Sequence, residues 1–122
     1  MALGKAIGDI DFKMSSVDHA EDGSKVTLNF DGTGTGYGTV LGTLIARGAA
    51  ADKGGLCSWR AQGFLDDGEQ VTGLGEGTWD ECGKHQWRVR LLTRISNGQV
   101  IATDATLDLA SRSLKGKILG WD

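Results

Sequence analysis

The stretch that decides the fold covers residues 59–87 and reads WRAQGFLDDGEQVTGLGEGTWDECGKHQW. Together with its flanks it predicts three strands, over residues 56–65, 70–79 and 84–95. The breaks between them, Asp66-Asp67-Gly68 and Glu81-Cys82-Gly83, are each three residues long and end in glycine. This pattern is typical of a three-residue hairpin loop, in which a type I turn is followed by a left-handed residue.

These two loops set the register of the three strands. Trp59 is then predicted to lie opposite Gly75, and Gly77 opposite Trp87, so that each indole faces a glycine that leaves room for it. A slip of one residue would mix apolar and polar side chains, so the register is strongly specified. The predicted inner face carries Cys57, Trp59, Ala61, Val71, Gly73, Gly75, Gly77, Trp79, His85, Trp87, Val89 and Leu91.

The N-terminal half continues the pattern of short strands. Apolar residues alternate with charged ones around Ile10, Phe12 and Met14, as expected of a half-buried strand. Asp31-Gly32 is typical of a two-residue hairpin turn, which would put Tyr37 on one face with Val26. In order, we predict a loose segment over residues 1–8, strands over 9–17, 25–30 and 33–47, and a loop or single helical turn over 48–55.

The last hairpins complete the set of strands. A two-residue Asn97-Gly98 turn would oppose Arg94 and Ile101, whereas a three-residue Ser96-Asn97-Gly98 turn opposes Arg90 to Asp104. We prefer the three-residue turn, because it separates apolar from charged residues and pairs opposite charges. The seventh strand then begins at Gln99, and an eighth follows a loop over residues 110–113.

The predicted fold is all-β: a single domain over residues 1–122, forming one eight-stranded antiparallel up-and-down barrel with short hairpin loops. Closing the last strand on the first protects the strand edges. A barrel of this size is filled by its side chains or holds one small ligand. The glycines at 73, 75 and 77 fit two explanations equally, a ligand cavity or relief of strain where strands bend sharply.

Repeated Gly-Thr strand starts occur twice, in GTGTGYGT at residues 32–39 and in GEGTW at residues 75–79. In this pattern the chain resembles the small barrels of the allene oxide cyclase and dirigent group. The resemblance implies a hydrophobic barrel cavity that steers a reactive substrate, and an oligomer. Lipocalin-like barrels are the rival family, but the chain lacks their N-terminal Gly-x-Trp.

Composition excludes several classes of function. With 122 residues and a net charge of −3, the chain lacks the basic surface that nucleic-acid binding requires. Neither a membrane-length apolar run nor a signal-peptide pattern is present, so we expect a cytoplasmic protein that does not enter a membrane. The cysteines, Cys57 and Cys82, have no zinc spacing, and we expect reduced thiols, no metal and no cofactor.

Two polar residues are candidates for catalysis. His85 falls on the inner face near one mouth and could act as an acid or base, although a rim histidine capped by a turn carbonyl explains it as well. Tyr37, the only tyrosine, could donate a hydrogen bond into the cavity or keep its hydroxyl in water. The ligand-binding candidates are Trp59, Trp79, Trp87, Cys57, Gly75, Leu91 and Thr103.

These residues leave two main classes of function. One is a cofactor-independent isomerase or cyclase that folds a small hydrophobic molecule in the barrel, and the other is a non-catalytic, lipocalin-like binding module. A filled barrel that acts through its surface is the third alternative. A predicted apolar outer patch also favours a homo-oligomer, most simply a dimer. Its members are Thr72, paired with Leu92, together with Leu74, Val100, Ala102 and Leu119.

Overall fold

The computed structural model describes residues 3–48 and 52–121, which form a closed barrel of antiparallel strands paired in sequence order. The first strand closes the barrel by pairing with the last, with Ile10 opposite Gly116. The all-β, eight-stranded up-and-down barrel is therefore confirmed. The strands are β1 (Leu3–His19), β2 (Lys25–Gly34), β3 (Gly38–Arg47), β4 (Gly54–Phe64), β5 (Gln70–Gly83), β6 (Gln86–Ile95), β7 (Val100–Asp108) and β8 (Ser113–Trp121).

Strand β1 begins earlier than the sequence suggested. The predicted loose segment is part of the barrel from Leu3 onward, where Ala6 and Gly8 pair with residues of β8. Met1 and Ala2 lie outside the described residues, as do residues 49–51 of the predicted loop or helical turn. Among the residues described, no helix is long and apolar enough to cross a membrane.

Two of the predicted hairpin loops are confirmed. At the β4–β5 turn the Leu65 amide donates to the Glu69 carbonyl at 2.9 Å, and Gly68 has a φ of 91°. At the β6–β7 turn the Ile95 amide donates to the Gln99 carbonyl at 2.8 Å. Glycine at the end of each loop therefore supplies the left-handed conformation that these three-residue connections need.

The predicted turn at Asp31-Gly32 is wrong. Strand β2 continues through it to Gly34, and the chain reverses at residues 35–37, with the Tyr37 amide donating to the Gly34 carbonyl at 2.9 Å. The glycine at 32 serves another purpose, because a Cβ there would overlap the backbone carbonyl of Asp11 on β1. It allows β1 and β2 to approach closely. The Asp-Gly dipeptide is compatible with this role as well as with a turn, so the sequence pattern does not distinguish the two.

The predicted turn at Glu81-Cys82-Gly83 is also wrong. Strand β5 runs to Gly83, the connection is Lys84-His85, and Gly77 lies opposite Leu91 rather than Trp87. The predicted register differs from the observed one by four residues, which is an even number, so the residues within β5 and β6 keep their predicted faces, whereas His85 falls in the connection. Gly77 is another point of close approach, since a Cβ there would overlap the carbonyl of Arg90.

An aromatic cluster fills the middle of the barrel. The Trp59 indole stacks on Phe12 with centroids 5.6 Å apart and planes 16° apart, and it meets Phe30 at 6.2 Å in a tilted arrangement. These rings come from three different strands, β1, β2 and β4, so the cluster links strands that are not neighbours in the sheet. The rest of the buried core is Ile10, Leu28, Val40, Leu44, Cys57, Val89, Leu91, Ile95, Ile101, Ala105, Leu107, Leu114 and Ile118.

Trp59 obtains its space from Gly42 on the neighbouring strand β3. Trp59 does lie opposite Gly75, as predicted, but its ring extends the other way and lies over Gly42. A Cβ at Gly42 would overlap the Cη2 and Cζ2 atoms of the indole. The ring is buried against Phe12 and cannot move aside without disturbing that stack.

We predict that Gly42→Ala destabilises the protein by about 1–3 kcal/mol, because the added methyl group overpacks the aromatic cluster. Urea denaturation followed by circular dichroism measures the change. The matched control is Gly120→Ala on β8, where the new methyl would lie at an ordinary 3.7 Å from the nearest side-chain atom, Ile7 Cγ2. Equal stability of the two variants would contradict the placement of Trp59.

Candidate functional site

A cavity of about 60 Å³ lies on one side of the aromatic cluster. It occupies the end of the barrel that holds the β2–β3, β4–β5 and β6–β7 turns, and Trp59 and Phe12 form its floor. Strands from all around the barrel contribute to its wall. The lining residues are Ile10, Phe12, Gly34, Tyr37, Val40, Trp59, Ala61, Gly63, Val71, Thr72, Gly73, Leu91, Thr93, Ile95, Ile101, Thr103, Leu114 and Ile118.

The cavity wall is apolar with a few hydroxyl groups. Thr93 and Thr103 are the buried polar residues in it, with 3% and 8% of their surfaces exposed. Tyr37 is the single titratable residue among the described residues that line the space. Burial raises the pKa of Tyr37 above its ordinary value, so its hydroxyl stays protonated at neutral pH. The site can therefore donate or accept hydrogen bonds but holds no charge.

The Tyr37 side chain crosses the mouth of the cavity. Its hydroxyl donates to Oε1 of Gln99 at 2.6 Å. Tyr37 belongs to the β2–β3 turn and Gln99 to the β6–β7 turn, and these turns lie on opposite sides of an eight-stranded barrel. We call this contact the Tyr37–Gln99 latch, because it spans the opening through which a ligand would enter.

Four of the nine predicted site residues line this cavity: Tyr37, Trp59, Leu91 and Thr103. Gly75 does not, because a Cβ there would overlap Oγ1 of Thr93, so that hydroxyl already occupies the space that the glycine leaves. Of the three alternate glycines, Gly73 alone lines the cavity. Gly75 and Gly77 thus make room for neighbouring strands, and Gly73 lies in the cavity wall.

The other predicted site residues lie toward the opposite end of the barrel. Trp79 Nε1 donates to the Arg47 carbonyl at 2.9 Å and so ties down the start of the β3–β4 connection. Trp87 is half-buried opposite Glu81. The expectation that Trp59, Trp79 and Trp87 wall one cavity is wrong, because the aromatic cluster separates the two ends.

His85 lies at that opposite end as well. It is exposed in the β5–β6 connection with a left-handed φ of 55°, and its carbonyl accepts a hydrogen bond from the Leu109 amide at 3.1 Å. It is therefore not at the mouth of the cavity, and the two catalytic candidates, His85 and Tyr37, are not brought together. The physical reason is topological, because the β5–β6 connection lies at the end of the barrel opposite the β2–β3 turn that carries Tyr37.

Several residues of the site were not identified from the sequence. Gly34 and Val40 line the cavity because the β2–β3 turn begins four residues later than predicted, after Gly34 instead of at Asp31-Gly32. Gln99 was named only as a strand start, although its place just after Ser96-Asn97-Gly98 puts it at a barrel mouth. A correct β2–β3 turn would have shown that Tyr37 and Gln99 share one end.

The described residues contain no group of three or more His, Cys, Asp or Glu side chains that could hold a metal ion. Comparisons with family models, with curated proteins and with solved structures give no match to this chain.

The two cysteines differ sharply in environment. Cys57 is buried in the core, and desolvation raises the pKa of its thiol to about 11, whereas Cys82 is exposed. The thiolate fraction of Cys57 near neutral pH is therefore roughly 100-fold below that of a thiol with an ordinary pKa.

We predict that iodoacetamide at mildly alkaline pH labels Cys82 rapidly and Cys57 only after unfolding. Peptide mass spectrometry at successive times distinguishes the two sites, and denatured protein, in which both react, is the control. Rapid labelling of Cys57 in the native protein would show that the thiol is accessible and contradict its place in the core.

Proposed function

We propose that the protein binds a small, compact apolar molecule in the cavity beneath Tyr37. The observation that carries this proposal is the wall itself, which is apolar on all sides and has few polar groups, all uncharged. Small-molecule sites characteristically combine an apolar concave wall with a few polar groups that orient the ligand. Here the hydroxyls of Tyr37, Thr93 and Thr103 are the polar groups that would orient the ligand.

The volume limits the ligand to a small molecule. A cavity needs roughly 10–15 Å³ in this measure to hold one water molecule. The observed volume of about 60 Å³ is therefore sufficient for about four to six non-hydrogen atoms. Drug-sized ligands occupy about 300–1,000 Å³, so a long acyl chain would not fit inside without displacing the latch.

The cavity favours binding over a reaction. Tyr37 can donate a hydrogen bond but its raised pKa makes it a poor base at neutral pH, and no second acid or base stands beside it among the described lining residues. The resemblance to the allene oxide cyclase and dirigent group adds a finer hypothesis, a cofactor-independent cyclisation or isomerisation controlled by shape. That activity would need a substrate of the small size given above.

A second candidate function is a filled barrel that acts through its surface. The stack of Phe12 on Trp59 favours it, because these rings already fill the widest part of the interior. The two candidates make opposite predictions about the interior, so one titration separates them.

We predict that benzene binds in the cavity and shifts a defined subset of methyl resonances. The chain has six isoleucines, of which Ile10, Ile95, Ile101 and Ile118 line the cavity, while Ile7 and Ile45 do not. Titration of isoleucine δ1-methyl-labelled protein should therefore shift the first four in a saturable manner and leave the other two unchanged. Naphthalene, with its fused rings, should exceed the volume and shift none. Absence of any shift with benzene would favour the surface-acting alternative.

We predict that Gly34→Ala weakens benzene binding about 10–200-fold, the range for one methyl group in an apolar pocket. The new methyl would lie 3.6 Å from Val40 Cγ2 and 3.8 Å from Ile10 Cγ2 and Tyr37 Cδ2, so it fills cavity space without a clash. Gly120→Ala adds the same methyl group outside the cavity and should leave the dissociation constant unchanged. Equal effects of the two variants would count against the site.

We predict that Tyr37→Phe raises the dissociation rate of benzene roughly fivefold, because a neutral hydrogen bond is worth about 1 kcal/mol. Gln99→Ala removes the other half of the same bond and should have a similar effect. Relaxation-dispersion NMR on the Ile95 methyl group measures the exchange rate. Unchanged exchange in both variants would show that the latch does not control entry.

A further inference from the structure

The outer face of strands β5 and β6 carries a four-residue cluster that none of the cavity's chemistry uses. Leu74 lies opposite Arg94, and Glu76 lies opposite Leu92, so the leucines occupy one diagonal and the charges the other. The observed partner of Leu92 is thus Glu76, not Thr72 as the sequence predicted. The leucines are unusually open for their type, with 62% of Leu74 and 46% of Leu92 exposed. We call these four residues the β5–β6 quartet.

The charges of the quartet differ from the charges around them. Arg88 pairs with Asp104 at 2.6 Å, Arg90 with Asp80 at 2.8 Å, and Lys117 with Asp9 at 2.6 Å. Arg90 and Asp104 are cross-strand neighbours as predicted, although each forms its ion pair with another residue.

Within the described part of the chain, neither Glu76 nor Arg94 forms an ion pair. Each of these two charges is therefore available to a partner molecule. The partner must also offer apolar surface to the exposed leucines that lie between them.

The barrel leaves a partner few ways to attach. Because the strands of residues 3–48 and 52–121 close on themselves, this part of the chain leaves no free strand edge to which another chain could add a strand. A partner must therefore pack on outward-facing side chains. A partner that covers this cluster must place apolar side chains against the two leucines, a negative charge against Arg94 and a positive charge against Glu76.

We propose that the β5–β6 quartet is the centre of a homodimer interface, with a second copy of this chain as its occupant. A two-fold axis lying in the interface along the Leu74–Leu92 diagonal places each leucine against the same leucine of the partner. The same rotation exchanges the two sides of the diagonal, so Glu76 meets the partner's Arg94, and Arg94 meets the partner's Glu76. The quartet is thus self-complementary, as a symmetric interface requires.

Neighbouring apolar residues extend the surface around the quartet. On the outer face Leu92 lies opposite Ala102, which is buried, and Ala102 lies opposite the half-buried Leu119. On β4, Leu56 is 67% exposed and lies opposite Thr78, two residues along β5 from Glu76. A stable interface buries about 800 Å² on each partner. The barrel exposes 7268 Å², so the interface would take roughly a tenth of the surface.

Charge reversal tests this arrangement directly. Glu76→Arg would place the new guanidinium of each copy against the partner's Arg94, and Arg94→Glu would place two glutamates together. Since the two-fold axis makes each substitution act twice, either single variant should raise the dimer dissociation constant about 10–100-fold. The double variant Glu76→Arg/Arg94→Glu restores both pairs and should return the constant to within a few-fold of the parent.

Sedimentation velocity over a range of protein concentrations measures the constant, with circular dichroism to verify that each variant folds. Glu69→Arg in the β4–β5 turn is the matched control, an exposed glutamate outside the surface, and should leave dimerisation unchanged. A parent protein that stays monomeric at concentrations on the order of 100 micromolar would overturn the proposal. So would a dimer that neither single reversal weakens, or one that the double reversal fails to restore.

Discussion

The structure depends on one contact, the Trp59 indole lying over Gly42. An eight-stranded barrel encloses just enough space for its own side chains. The direction in which the Trp59 indole extends therefore decides where empty space remains inside the barrel. Because Gly42 has no Cβ, the indole can reach across β3 and stack on Phe12 at a centroid distance of 5.6 Å. The stack links β4 to β1, which are not neighbours in the sheet, and it divides the interior into two ends of different character.

The two ends have different chemistry. One is closed by half-buried tryptophans, with Trp79 fixed by its hydrogen bond to the Arg47 carbonyl. The other keeps a cavity of about 60 Å³ whose mouth is crossed by Tyr37 and Gln99. Glycines contribute differently at each place: Gly32 and Gly77 let strand backbones approach, whereas Gly34 leaves room in the cavity wall for an added methyl group. The same residue type therefore both closes the barrel and keeps part of it open.

On β3 the predicted faces were wrong, because the expected Asp31-Gly32 turn places Tyr37 on one face with Val26. In the structure Val26 lies opposite Ala46, and the buried residues of this strand are Val40 and Leu44. On β4, β5 and β6 the inner faces were predicted correctly, because alternation of apolar and polar residues depends only on period two. That is why the four-residue register error at β5–β6 left Leu91 on the inner face. The cavity was predicted less well. Its position depends on where Asp31-Gly32 and Glu81-Cys82-Gly83 continue as strand instead of turning, and on which way Trp59 extends. The lengths of these strands and the direction of the Trp59 ring depend on packing between residues that are distant in the sequence, and local sequence patterns do not contain that information.

The central proposal is that Trp59 and Phe12 leave an apolar, ligand-sized space beneath Tyr37. A crystal structure determined under xenon pressure tests it most directly, because xenon enters apolar cavities and is located by its scattering. The account predicts one xenon atom in contact with Ile10, Ile95 and Trp59, and none in the interior between Trp79 and Trp87. Xenon between those two tryptophans, or no xenon beneath Tyr37, would contradict it.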